Sequence, residues 1–205
     1  MTHAIETAPA DDPVRFVRRY FGASFTVDDL PHVRNFVIDP STGEIVASLP
    51  PSLNDAEPVV IHIPEESHSS LQIMAEMRAL DPNRDASCDR LLIYHGRSEG
   101  AKIAALRPID VKWPLGSVQI EDFFLTNPLA KDEPRICRMM NSDPGALGSL
   151  VLKLSGRSTI EPRVVGVDSM GLDVRTRTGV VRIEVPVGAA PDQAAATIET
   201  WMRKS

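Results

Sequence analysis

Much of what announces a function is missing from this chain. Its 205 residues hold two cysteines, Cys88 and Cys137, 49 positions apart, with no CxxC and no histidine-rich surroundings. They read as reduced thiols, not as a disulfide framework or a zinc site. The longest apolar runs, such as 59–63, fall far short of the roughly 18–20 residues of a membrane span. No amino-terminal stretch joins a basic flank to an apolar run and a small-residue cleavage site. The expectation is a cytoplasmic protein without a membrane partner. Walker and Rossmann glycine loops, HExxH and GxSxG are also absent, and Asp143 to Gly148 lacks the lysine of a phosphate loop. No catalytic residue and no metal site stand out, and whether the chain is an enzyme stays open. What is present is an ordinary globular composition, 42% hydrophobic and 24% charged, which excludes a disordered chain, a coiled coil and a collagen-like fibre.

Charge is unevenly spread. Of 22 basic and 28 acidic residues, 11 and 9 lie in 131–205, which leaves 11 and 19 for 1–130. Between Arg34 and Arg78 no Lys or Arg occurs, while Asp39, Glu44, Asp55, Glu57, Glu65, Glu66 and Glu76 do. Such a surface repels phosphodiester backbones, so nucleic acid is not an expected partner. The asymmetry points to two units.

The patterns divide the chain into a frayed terminus over 1–12, a first unit over 13–131 and a second over 132–205. Residues 13–21 predict a short helix with Pro13 near its start and Gly22 as its stop. Asn35 to Ile38 and Glu44 to Leu49 flank the turn cluster Asp39-Pro40-Ser41-Thr42-Gly43, a hairpin signature. Glu57 to Ile63 predicts another strand. Leu71, Met74 and Met77 recur at helical spacing, so Ser67 to Leu80 predicts a helix. Cys88 to His95, Ile103 to Trp113 and Ser117 to Thr126 predict three more strands. Six short strands favour a barrel or sandwich. In the second unit, Pro134 starts a helix broken at Asp143-Pro144-Gly145 and ended by Ser155-Gly156. Strands 163–167, 172–176 and 180–185 follow, and Pro191 opens a last helix with Ala194, Ala195, Ile198 and Met202 inward. The order is α-β-β-β-α, a two-layer α+β module.

Met140-Asn141-Ser142-Asp143, Gly166-Val167-Asp168 and Gly171-Leu172-Asp173-Val174-Arg175 follow one another over residues 133–203. This run resembles the C-terminal domain that follows a flavin-type split barrel in haem-utilisation proteins. The same domain occurs in the plastid protein that binds glutamyl-tRNA reductase. The histidine that usually follows Met-Asn-x-Asp is replaced by Pro144. The resemblance implies that the first unit is a six-stranded antiparallel split β-barrel like pyridoxamine-phosphate oxidase, and that the chain is a homodimer. The family segment Ser-x-x-Ala-x-His-x-x-Asn is only loosely matched by Pro64 to Leu71.

The resemblance also brings two cofactors into view. Flavin mononucleotide carries a phosphate that needs Arg or Lys forks, and split barrels place these near the second to fourth strands, where this chain has none. Only Arg90 and Arg97 remain for that role. Haem needs an axial ligand and an apolar pocket. Haem-utilisation relatives use a late histidine, yet none of the five histidines here lies beyond residue 95. The haem candidates are therefore His62, His68 and His95. Each also has a plainer reading: His62 as a barrel residue between Ile61 and Ile63, His68 as a cap, His95 as a strand end. Arg163, Arg175, Arg177 and Arg182 fall on the strands of the second unit. They form either the solvent face of a sheet or a docking face for an acidic protein partner. Two functions stay open: a haem-utilisation-like tetrapyrrole binder with a degenerate flavin phosphate site, or a cofactor-free interaction or regulatory module like the reductase-binding relative.

Overall fold

A computed structural model describes residues 12–27, 30–51, 58–65, 67–96, 102–116, 118–123, 125–186 and 189–203. The protein is α+β. Helix α1 (Pro13–Arg18) leads into β1 (Gly22–Val27), β2 (Leu30–Ile38), β3 (Ile45–Leu49), β4 (Val59–Ile63) and β5 (Leu71–Ala79). Helix α2 (Ala86–His95) and strand β6 (Lys102–Lys112) follow. The six strands close an antiparallel barrel in the order β1-β2-β3-β6-β5-β4. A single 3-10 turn at Ile120–Asp122 precedes α3 (Glu133–Met140), α4 (Pro144–Ser155), β7 (Arg163–Asp168), β8 (Gly171–Thr176), β9 (Gly179–Glu184) and α5 (Pro191–Arg203). The last three strands form their own antiparallel sheet.

Two compact units result. Met1–Asp39, Gly43–Cys88 and Ser98–Leu125 make the first, and Pro40–Thr42, Asp89–Arg97 and Thr126–Ser205 the second. The division runs through α2, whose residues from Asp89 onward count with the second unit.

The barrel interior follows from strict alternation. Phe25, Ile61, Ile73 and Val111 are register partners across β1, β4, β5 and β6, and all are buried. Burying such a row removes about 1.5–3 kcal/mol worth of apolar surface from water per side chain. The next row, Ser24, His62, Gln72 and Lys112, is displaced by one residue and so points away from that interior.

The expected strand count is met, but by different segments. The helix expected over 67–80 is a strand, β5, and its burial alternates: Leu71, Ile73, Ala75 and Met77 are buried, while Met74, Glu76 and Arg78 are exposed. Met74 is an apolar residue on the outer face, and it created the false helical stripe. The strand expected over 88–95 is a helix, α2, which buries Cys88, Leu91 and Tyr94 at a spacing of three and leaves Leu92 and Ile93 exposed. Over 117–126 the described residues hold only the 3-10 turn, not a strand. Strands β1 and β5 take their places in the barrel. The hairpin at Asp39–Gly43 forms as expected, with Asp39 and Gly43 bonded through their backbones at 2.9 Å and Gly43 at φ 74°.

The second unit follows its pattern closely. Asp143 caps α4 by accepting from Ala146 N at 2.9 Å, Pro144 opens the helix, and Gly156 closes it in the left-handed conformation. Ile136, Met140, Leu147, Leu150, Val151, Leu172, Val174, Ala194 and Ile198 pack one core. Ala195 is half-buried against it, and the Met202 side chain lies outside the described residues.

Candidate functional site

In the first unit, the β4–β5 connection starts with a cis Ile63–Pro64 peptide and turns on its own serines. Ser70 Oγ donates to the Ser67 carbonyl at 2.6 Å and accepts from Ser67 N at 3.1 Å. This tight turn holds His68 exposed at its tip. Where β5 begins and β6 ends, an open cavity of about 240 Å³ is lined by Ser67, His68, Ser70 and Gln72 together with Lys112, Trp113 and Pro114. Gln72 and Lys112 stand opposite each other in the β5–β6 register. Trp113 is buried and packs edge-on against Phe16 of α1, with ring centroids 4.9 Å apart. Its Nε1 is buried without a hydrogen-bond partner, an arrangement that costs roughly 1–3 kcal/mol.

The three candidate histidines have different fates. His62 is 5% exposed, and its Nε2 accepts from the Gln72 side-chain amide at 3.0 Å. A buried imidazole with that nitrogen engaged is not an accessible ligand. His95 ends α2 in the second unit, half-buried, with its ring 6.0 Å from that of Tyr94. His68 alone of the three is exposed, and it makes no hydrogen bond to a described residue. Sequence reading missed Gln72, Lys112 and Trp113. Reading 67–80 as a helix hid Gln72, and nothing in local spacing links it to Lys112 some forty residues on.

The candidate arginines are placed very differently. Arg90 lies inside the second unit, 2.9 Å from Glu133 Oε1, and donates to Tyr94 Oη at 3.0 Å. Tyr94 Oη donates onward to Asp173 Oδ2 at 2.9 Å. Arg182, its side chain 5% exposed, forks to Asp173 at 2.7 Å and Asp168 at 2.6 Å. Burial works against both guanidinium charges, yet the neighbouring Tyr94 and Glu133 around Arg90, and the two aspartates around Arg182, hold them firmly protonated. Burial pushes the Asp173 carboxyl and the Tyr94 hydroxyl up. Arg90 is therefore committed and free for no phosphate, and Arg182 is not on a docking face. Arg97 lies outside the described residues. Arg163 and Arg175 are exposed and directly opposite each other on β7 and β8, with Arg175 Nη1 donating to the Ile93 carbonyl at 2.7 Å; Arg177 is exposed in the β8–β9 turn.

The family-like motif residues build this interior. Asn141 brackets β7, accepting from Val164 N at 2.8 Å and donating to its carbonyl at 2.9 Å. Gly166 is glycine because a Cβ there would lie 1.7 Å from Tyr94 Oη, and Gly171 because a Cβ would meet the Ile183 carbonyl at 2.3 Å. Among the described residues, no group of three or more His, Cys, Asp or Glu is placed to hold a metal ion, and no helix is long and apolar enough to cross a membrane.

No protein-family model matches the chain, and no curated protein does. Among solved structures, it is similar to a protein of unknown function from Agrobacterium tumefaciens, at 14% identity and a TM-score of 0.68, over 98% of this chain and 100% of that one. At that identity the likeness is one of fold. A haem-binding protein from Mycobacterium smegmatis aligns at 16% identity and a TM-score of 0.42, over 98% of this chain and 100% of that one.

Proposed function

We propose that this protein binds a tetrapyrrole of the haem class at the open cavity of its barrel unit. The observation that carries this reading is the placement of His68, an exposed and unengaged imidazole, in one cavity with the Trp113 ring and the Lys112 ammonium. These are the side-chain types a haem asks for: a nitrogen ligand, an aromatic wall and a counter-charge for a carboxylate. The resemblance of residues 133–203 to haem-utilisation proteins supports the same reading. Enclosed ligand pockets run to roughly 300–1,000 Å³, more than the about 240 Å³ available here. The cavity thus takes in part of a macrocycle and leaves the rest outside it. Bound haem would supply an iron centre whose behaviour follows from its axial ligand and surroundings. This chain's part is to ligate through His68 and to hold the ring edge.

Flavin mononucleotide fits less well. Its phosphate dianion calls for several donors with positive charge, and Lys112 is the one cationic side chain among the described residues lining the cavity.

Titration with haemin tests the proposal. The expected result is a Soret shift saturating at one equivalent, lost or strongly weakened in His68→Ala and kept in His95→Ala. A Soret titration unchanged by His68→Ala would overturn it. A second reading, a module docking an acidic protein partner, is favoured by one feature: Arg163 and Arg175 face each other, like charges side by side on an exposed sheet, which is destabilising unless something offsets it. That reading predicts a salt-sensitive complex lost in Arg163→Glu and indifferent to His68→Ala.

A further inference from the structure

The outward row of the barrel says more about the ligand than its size. Gln72 is held from behind. Its side-chain amide lies 3.0 Å from His62 Nε2, and His62 Nδ1 is buried without a hydrogen-bond partner. Gln72 makes no other side-chain hydrogen bond to a described residue. Lys112, directly opposite on β6, is exposed and forms no ion pair with a described residue. A ligand in the cavity therefore meets one ammonium, the His68 imidazole, the Gln72 side-chain amide and the Ser67 hydroxyl. A single ammonium matches a monoanion; a phosphate dianion would be left half-compensated near the exposed Glu65 of the same connection.

We infer that the cavity selects its ligand by a carboxylate. Lys112 is the counter-ion, with Gln72, held by His62, and the Ser67 hydroxyl beside it. The inference deepens the tetrapyrrole reading and rests on it where the carboxylate is a propionate-type side chain of the macrocycle. A free carboxylic acid has the same chemistry, and the experiment separates the two sources.

Metal-free protoporphyrin IX and its dimethyl ester differ only in that charge. Binding of each is followed by quenching of tryptophan fluorescence. The diacid is expected to bind at least tenfold tighter than the diester. Lys112→Met should erase that ratio, and Lys112→Arg should keep it. Equal binding of diacid and diester, with no effect of Lys112→Met, overturns the inference while leaving haemin ligation by His68 standing. If neither porphyrin nor haemin binds, the tetrapyrrole reading falls. Propionate then decides the inference: displacement of the Gln72 side-chain amide resonances, absent in Lys112→Met, upholds it with a free acid as ligand, and no displacement overturns it. Circular dichroism of each variant confirms the fold.

Discussion

The two units handle buried polarity in different ways. In the second, Arg182 is forked between Asp168 and Asp173, Tyr94 links Asp173 to Arg90, and Glu133 takes Arg90 and the Val167 amide. Charges are matched internally, although Arg90 Nε and Arg182 Nε are buried without a hydrogen-bond partner. In the first, the row Ser24, His62, Gln72, Lys112 runs from buried to exposed and ends at a cavity, with Trp113 Nε1 and His62 Nδ1 unpartnered. Buried ion pairs of this kind fix a structure, whereas neutral polar groups beside an open cavity leave capacity for binding. Asn141, Gly166 and Gly171 thus serve to fold the second unit, while Gln72, Lys112 and Trp113, beside the cavity of the first, lie in no recognised motif.

The contrast is easiest to break at its centre. Arg182→Met leaves two aspartates buried without their cation, which costs about 3–5 kcal/mol. Chemical denaturation should show the second unit losing its cooperative transition or shifting it far down; a shift under about 1 kcal/mol would mean the network is not closed as described. Gly166→Ala comes next. A methyl at that point collides with the Tyr94 hydroxyl, so a loss of about 1–3 kcal/mol is expected. Combined with Tyr94→Phe, the two losses should be sub-additive, since each variant relieves part of the other's problem. Strict additivity in the double-mutant cycle would show that the close approach is not the reason for glycine.

The second unit should also be closed to reagents. Burial, reinforced by Glu133, pushes the Cys137 thiol up to about 12. Its thiolate fraction at pH 8 is then about a thousandth of that of an ordinary thiol, and it grows as pH rises toward the raised value. Cys88, which counts with the first unit, is fully buried as well. Native protein should therefore label slowly with iodoacetamide at pH 8 and faster with each step upward in pH. Rapid labelling at pH 8 would show an interior more open than the hydrogen bonds suggest. The smallest effect belongs to the first unit. Lys112→Met touches no described ion pair, so its stability should stay within about 0.5 kcal/mol of the parent in a thermal melt. A larger loss would make Lys112 structural and remove the distinction between the units.

Legibility in the sequence followed locality. The Asp39–Gly43 turn, the helix break at Asp143-Pro144 and the Gly156 stop are set by backbone chemistry within a few residues, and all three form as expected. Strand β5 was misread because Leu71, Met74 and Met77 satisfy a helical period as well as Leu71, Ile73, Ala75 and Met77 satisfy a strand. Ala75 is too small to advertise its interior position, and Met74 is large enough to mimic one. Helix α2 was misread in the opposite sense, though Cys88, Leu91 and Tyr94 carried a spacing of three. The errors offset each other in the strand count and displaced the site.

From composition, turn chemistry and apolar period alone came an α+β chain in two parts, with a second part whose order of elements could be read almost to the residue. Local propensity suffices there because the elements are short, well capped and packed against near neighbours in sequence. Which side of β5 faces the barrel, and hence that Gln72 meets Lys112 beside His68 and Trp113, is decided by register between strands distant along the chain. Likewise the burial of Arg182 is settled only when Asp168 and Asp173 arrive from neighbouring strands to neutralise it. A charge can be read from the sequence, but its partner is supplied by the fold.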